Sequence, residues 1–171
     1  NILNIKYRLR AIMVESVKSL ALDHETRLQE DDHHSVKLWL RLLTCSSMIE
    51  TSLRTALRES FDTTLPRFDL LAQLERVPDG LTMGQLSQRM MVSGGNVSGI
   101  ASQLVKEGLI DRNPVPDNRR TFIVKLTPKG RRSFRKMAEQ HEQWVISMLG
   151  HLKSDEVDQL MDLLQRVKQG I

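Results

Sequence analysis

Between Ser93 and Lys106 the chain sets Gly95, Asn96, Ser98, Gly99, Ser102, Gln103 and Lys106 along the polar side of a helical period. With Ser93 at its head, this face holds only small, hydroxyl, amide or basic groups. They give and accept hydrogen bonds, and none is acidic. An ordinary solvated helix face mixes in Glu and Asp. A lean surface without carboxylates suits close approach to a phosphate-bearing polymer, and its polar groups can meet base edges. A second cluster follows at Asn113–Arg120, NPVPDNRR, where Asp117, Asn118, Arg119 and Arg120 close a loop between two apolar runs. Paired guanidinium groups at such a tip suit phosphates or a narrow groove. The plain alternatives are a solvated loop tip for the arginines and, for Gly94-Gly95, a merely loosened helix start.

These groups need elements to hold them. Val97, Ile100, Ala101, Leu104 and Val105 form the inward stripe of the helix. Upstream, Thr82-x-x-Gln85 is a capping box that opens a short helix with Leu86 and Met90 on its buried side. Met91-Val92 make a brief turn, and Ser93 is a good N-cap. Helix, tight turn and second amphipathic helix make a helix-turn-helix, whose second helix reads a major groove. Gly108 stands where a left-handed C-terminal residue belongs. Leu109–Arg112 and Thr121–Leu126 read as two strands with NPVPDNRR between them, a wing with a basic tip.

The flanks read as helices. Residues 1–28 carry Ile2, Ile5, Leu9, Ile12, Met13, Val17 and Leu20 at helical steps, until Gln29–Ser35 interrupts them. A longer helix runs from Val36 to Phe61 with Leu38, Leu42, Cys45, Ile49, Leu53 and Leu57 on one stripe. Pro66 starts another, carrying Phe68, Leu71 and Leu74 and ending at Pro78-Asp79-Gly80. After Thr127-Pro128 a long helix reaches Leu149, with Phe134, Met137, Ala138, His141, Val145 and Met148 inward. A last one opens at Ser154-Asp155-Glu156 and presents Val157, Leu160, Met161, Leu164 and Val167. The expected fold is mainly α (α+β). Helices fill 1–64, a winged helix-turn-helix 65–127, and further helices 128–171. Terminal stripes too long to bury on so small a wing domain form a natural dimer interface, and two reading helices one DNA turn apart recognise more than one can.

Composition agrees. The 171 residues carry a net charge of +4, but from Arg112 to Lys136 there are nine Lys or Arg and one acid, while Glu139 to Ile171 is acidic. Basic charge gathered beside the reading helix favours a nucleic-acid partner. No apolar run approaches the roughly 18 residues of a membrane span, and the first 20 residues show no leader pattern. One cysteine, Cys45, fits a reducing cytoplasm. No G-x-S-x-G, phosphate loop or CxxC appears, so the chain reads as no enzyme. His24, His33, His34, His141 and His151 show no metal-ligand spacing, and neither metal nor cofactor is expected. Cys45 on an apolar stripe reads as a buried, inert thiol. The alternative, a redox-sensing thiolate, has Arg41 as its one helical cation neighbour. Another alternative is a winged helix that binds protein without reading DNA sequence.

The run from Leu81 to Gly130 resembles the MarR family of bacterial transcription regulators. Lys106-Glu107-Gly108-Leu109-Ile110 with Arg112, and the wing entering Val124-Lys125-Leu126-Thr127-Pro128-Lys129-Gly130, carry the likeness. The resemblance implies an obligate homodimer on a double-stranded, near-palindromic operator, with the reading helix in the major groove and the wing in the minor groove. The family often places an arginine at Gly99 and a basic or polar residue at Gln103. Its usual wing aspartate falls at Asn118, with Asp117 one residue earlier, so either could orient Arg120. Residues 65–100 are similar to a branch governing aromatic acid catabolism, whose inducer is a hydroxycinnamoyl-CoA thioester. The resemblance also puts Trp39 and Trp144 on helices that meet the wing domain. With Arg67, Phe68 and His141 they form a candidate effector set, against the simpler readings of core tryptophans and a surface arginine.

Overall fold

The computed structural model describes residues 24–27, 33–115 and 118–171. A 3-10 turn at His24–Arg27 precedes α1 (His34–Phe61), α2 (Leu65–Glu75), β1 (Leu81–Thr82), α3 (Met83–Met90) and α4 (Gly94–Lys106). Then come β2 (Ile110–Val115), β3 (Asn118–Leu126), α5 (Pro128–Leu149) and α6 (Ser154–Gln169). Apart from that turn, the helix expected over 1–28 lies outside the described residues. The chain divides into two compact units, one ending at Met137 and the other running from Ala138 to Ile171.

In the first unit α2 is the central post. Phe68, Leu70, Leu71 and Leu74 are all buried, a wider arc than the stripe of Phe68, Leu71 and Leu74 expected from periodicity. Around it close Leu53, Ala56 and Leu57 of α1, Leu86 of α3, Val97, Ala101 and Leu104 of α4, and Ile110 and Val124 of the sheet. Full burial of each such aliphatic side chain contributes about 1.5–3 kcal/mol. The α1 stripe departs from expectation. Leu53 and Leu57 are buried, but Leu38 is 53% exposed and Cys45 is exposed, because apart from Thr44 the core covers only the C-terminal half of that helix.

Helix ends follow local chemistry. At the end of α1, Asp62 turns left-handed (φ 47°) and its N–H donates to the Arg58 carbonyl at 3.0 Å. The capping box at Thr82 forms as expected: the Gln85 N–H donates to Thr82 Oγ1 at 3.2 Å, and the Thr82 N–H donates to Gln85 Oε1 at 2.8 Å. Gly80, at φ 87°, makes the turn before it, and any Cβ there would fall 2.5 Å from the Val124 carbonyl oxygen.

The sheet has three antiparallel strands in the order β1-β3-β2, one more than the two-stranded hairpin expected. Leu81 pairs with Val124 and Thr82 with Ile123. Both wing strands also run longer than expected. Asn113, Pro114 and Val115 belong to β2, with Pro114 opposite Phe122, and β3 starts at Asn118 after an irregularity at Pro114/Val115. Proline is tolerated on an outer strand, where alternate N–H groups face away from the ladder. Only Pro116 and Asp117 separate the two strands, and both lie outside the described residues.

In the second unit, Glu156 accepts the Lys153 N–H at 2.7 Å where α6 begins, and Asp155 joins it in the first turn. The α6 stripe is open. Leu160, Met161, Leu164 and Val167 are 40–64% exposed, and Leu163 is 54% exposed beside them. Among the described residues no helix is long and apolar enough to cross a membrane.

Candidate nucleic-acid interface

The link from α3 to α4 is tight. Met91 is left-handed (φ 54°), the Val92 N–H donates to the Ser87 carbonyl at 3.2 Å, and Ser87 Oγ donates to the Val92 carbonyl at 2.6 Å. Ser93 takes the N-cap position of α4, but its side chain makes no capping hydrogen bond. The first-turn amides are thus left without a side-chain acceptor.

The two faces of α4 separate cleanly. Val97, Ala101 and Leu104 are at most 1% exposed. Gly95, Asn96, Ser98, Gly99, Ser102, Gln103 and Lys106 are all exposed, as are Ser93 and Gly94. Val105 departs from its expected inward place and is 39% exposed, because it sits at the rim of the stripe. Ser102 Oγ donates to the Ser98 carbonyl at 2.9 Å, which leaves its lone pairs facing out. A Cβ added at Gly94, Gly95 or Gly99 would meet none of the described residues within 4 Å. Each glycine inside a helix costs about 0.5–1 kcal/mol relative to alanine. Among the described residues nothing occupies the space this leaves.

At its other end α4 is firmly held. Gly108 is left-handed (φ 68°). Lys129 Nζ donates to the Glu107 carbonyl at 2.7 Å, and Thr127 Oγ1 donates to those of Gly108 and Leu109 at 2.8 and 3.2 Å. At Gly130 the backbone passes so close that a Cβ would lie 1.8 Å from the Leu109 carbonyl oxygen. From α2, the Arg67 guanidinium pairs with the Glu107 carboxylate and donates to Gln103 Oε1 at 3.3 Å. Glu75 of α2 also receives Arg131 at 2.7 Å and Arg135 at 3.6 Å, which ties α5 to the same post.

In the wing, the Arg112 guanidinium lies 4.2 Å from the centroid of the Phe122 ring, a cation–π contact that braces β2 against β3. Asn118, Arg119 and Arg120 enter β3 rather than a free loop. Of the other basic residues near the interface, Lys106, Lys125 and Arg132 are exposed, whereas Lys129 and Arg131 are engaged by internal acceptors.

The effector candidates are divided between the two units. Trp39 is 59% exposed on α1. Arg67 is turned toward the C-terminal end of α4, and Phe68 is buried with its ring 5.4 Å from that of Phe134. In the second unit Trp144 is buried, and burial holds the His141 imidazole below its usual pKa. A cleft of about 680 Å³ lies elsewhere, lined by Arg54, Arg58, Thr63, Thr64 and Pro66 and reaching Ile100 on α4. Its residues come from three separate elements, so spacing along the chain gave no sign of it. Cys45 is exposed, contrary to the buried thiol expected, and its neighbour Arg41 is occupied by Glu25 at 2.8 Å. Among the described residues no group of three His, Cys, Asp or Glu could hold a metal ion.

A sequence model of the MarR family matches residues 61–121, the segment that carries α2, the helix-turn-helix and the wing. The transcriptional regulator YkoM of Bacillus subtilis (strain 168) is 30% identical over 121 residues, covering 70% of this chain and 76% of its own. YdgJ of the same organism, also a helix-turn-helix-type regulator, is 26% identical over 105 residues, 61% of this chain; the match spans only 63% of the length of YdgJ. Among solved structures, a MarR family transcriptional regulator from Silicibacter pomeroyi superposes with a TM-score of 0.70 at 28% identity, over 84% of this chain and 99% of that one. The helix-turn-helix, the three-stranded wing and these likenesses converge: the chain belongs to the MarR family of transcriptional regulators.

Proposed function

We propose that the chain works as a homodimeric, ligand-responsive repressor on a near-palindromic DNA operator. One observation carries the reading: the exposed face of α4 holds no acid and three bare glycines, over a stripe at most 1% exposed. Such a helix can press into a major groove, where Asn96, Ser98, Ser102 and Gln103 reach base edges. The uncapped first-turn amides of α4 suit a phosphate. Arg119 and Arg120 then reach the adjacent minor groove, and Lys106, Lys125 and Arg132 add phosphate contacts.

The dimer is proposed from apolar surface left open in each unit. On α6 these positions are Leu160, Met161, Leu163, Leu164 and Val167, and on α1 they are Val36, Leu38 and Trp39. Two copies would set the reading helices about 34 Å apart, one turn of DNA. The effector we propose is an aromatic acid carried as its CoA thioester, on the strength of the resemblance over residues 65–100. To empty an operator almost fully, it must favour the non-binding state by about 5.5 kcal/mol.

Binding to genomic fragments across a salt series tests the DNA reading. A protein that neutralises several phosphates loses affinity steeply as salt rises, and a flat profile overturns the reading. Melting the protein with aromatic acids and with their CoA thioesters tests the effector, since only a ligand of the folded state raises the Tm. No shift with any thioester excludes that class.

A further inference from the structure

Gln103 is among the residues on the exposed face of α4, and its side-chain amide is engaged from α2. Arg67 reaches it from α2 and donates through Nη1 to the amide oxygen at 3.3 Å, while Nη2 pairs with the carboxylate of Glu107 one helical turn further on. The Arg67 side chain is only 16% exposed and its Nε is buried, so the fork is fixed by its surroundings as well as by Glu107. A guanidinium has donors and no acceptor. Were the amide flipped, its NH₂ group would face a cation that also only donates. The oxygen must therefore face α2, and the nitrogen, on the other branch of the planar group, faces away from it.

That orientation restricts what the side chain can read. Glutamine recognises adenine by turning oxygen and nitrogen together to one base edge, accepting from N6 and donating to N7. An amide whose oxygen is engaged by α2 leads with its two N–H donors. Of the four bases, guanine presents two acceptors side by side in the major groove, N7 and O6. We propose that Arg67 is a positioning residue that sets Gln103 to lead with its donors, so that each half-site carries a guanine where Gln103 meets it. The inference rests on the proposed entry of α4 into the major groove.

Selection from a pool of randomised operators, using the full chain, tests it. Wild type should enrich guanine at one position per half-site, and Gln103→Ala, a change on an exposed face, should randomise that position alone. Arg67→Leu releases the amide. At the same position the ratio of guanine to adenine should fall by about tenfold or more, with the rest of the motif kept. Glu107→Gln, also at the surface, should move the ratio the same way by less, and it carries the test if Arg67→Leu does not fold by circular dichroism. Loss of a purely structural arginine would weaken every position together and leave this ratio alone. Adenine at the Gln103 position in wild type, no position responding to Gln103→Ala, or an unmoved ratio in the folded variants overturns the inference. A pool with no enriched motif at all overturns the DNA reading itself and this inference with it.

Discussion

At its C-terminal end α4 is pinned by Arg67, Thr127, Lys129 and a backbone contact at Gly130, whereas its N-terminal half carries three glycines in open space and no side-chain cap. Glycine serves opposite needs at the two ends. At Gly130 the missing side chain lets two segments of this chain meet; at Gly94, Gly95 and Gly99 none of the described residues fills the gap. On the proposed function, a helix held at one end and stripped at the other is oriented by the protein and finished by DNA. Internal packing and partner binding can therefore be separated by substitution.

Gly130→Ala should give the largest effect. With a Cβ 1.8 Å from the Leu109 oxygen the backbone must move, at a cost of about 3 kcal/mol, read as a lowered midpoint in urea. A near-normal midpoint would mean the close approach is slack. Arg120→Ala should weaken operator binding by about 1–3 kcal/mol, and unchanged affinity in a gel-shift titration removes the wing from the interface. Gly99→Ala sharpens the contrast, because its two effects have opposite signs. The fold should gain about 0.5–1 kcal/mol from helix propensity, while DNA affinity falls because the added methyl stands between helix and groove. If affinity is kept, the bare face has no close partner.

The smallest effect concerns α2. Asp69 is half-buried, and its burial, with the charge of Glu50 nearby, raises its pKa from the usual carboxylate range to about 6. Between about pH 4 and 6 the folded protein holds a proton there that the unfolded chain has released, so stability falls as pH rises through that window and stays lower above it. Asp69→Asn should flatten this part of the profile and melt higher than wild type at pH 7. Parallel pH profiles of wild type and variant would remove Asp69 as the cause.

Much of the reading unit was legible because its signals are local. The Thr82–Gln85 capping box, the turn before Ser93, the stripe of Val97, Ala101 and Leu104, and the left-handed Gly108 each depend on residues within a few positions of one another. What escaped depends on distant partners. Strand β1 is two residues long and exists only because β3 offers it an edge. Arg67 looks like an ordinary surface arginine until Glu107, 40 residues away, is brought beside it. The exposure of Leu38 and Cys45 reflects how far the core reaches along α1, which no stripe on a single helix reveals. Pro114 misled in another way: it reads as a loop residue, yet an outer strand accommodates it.

That proline has a consequence for the protein in a crowded cell. An open β margin invites another chain to zip onto it and begin a fibril or a clump. Here one margin of the sheet is only Leu81–Thr82, and the other is interrupted by a residue with no N–H to offer, beside a break in register. At both margins the sheet offers little to template such growth.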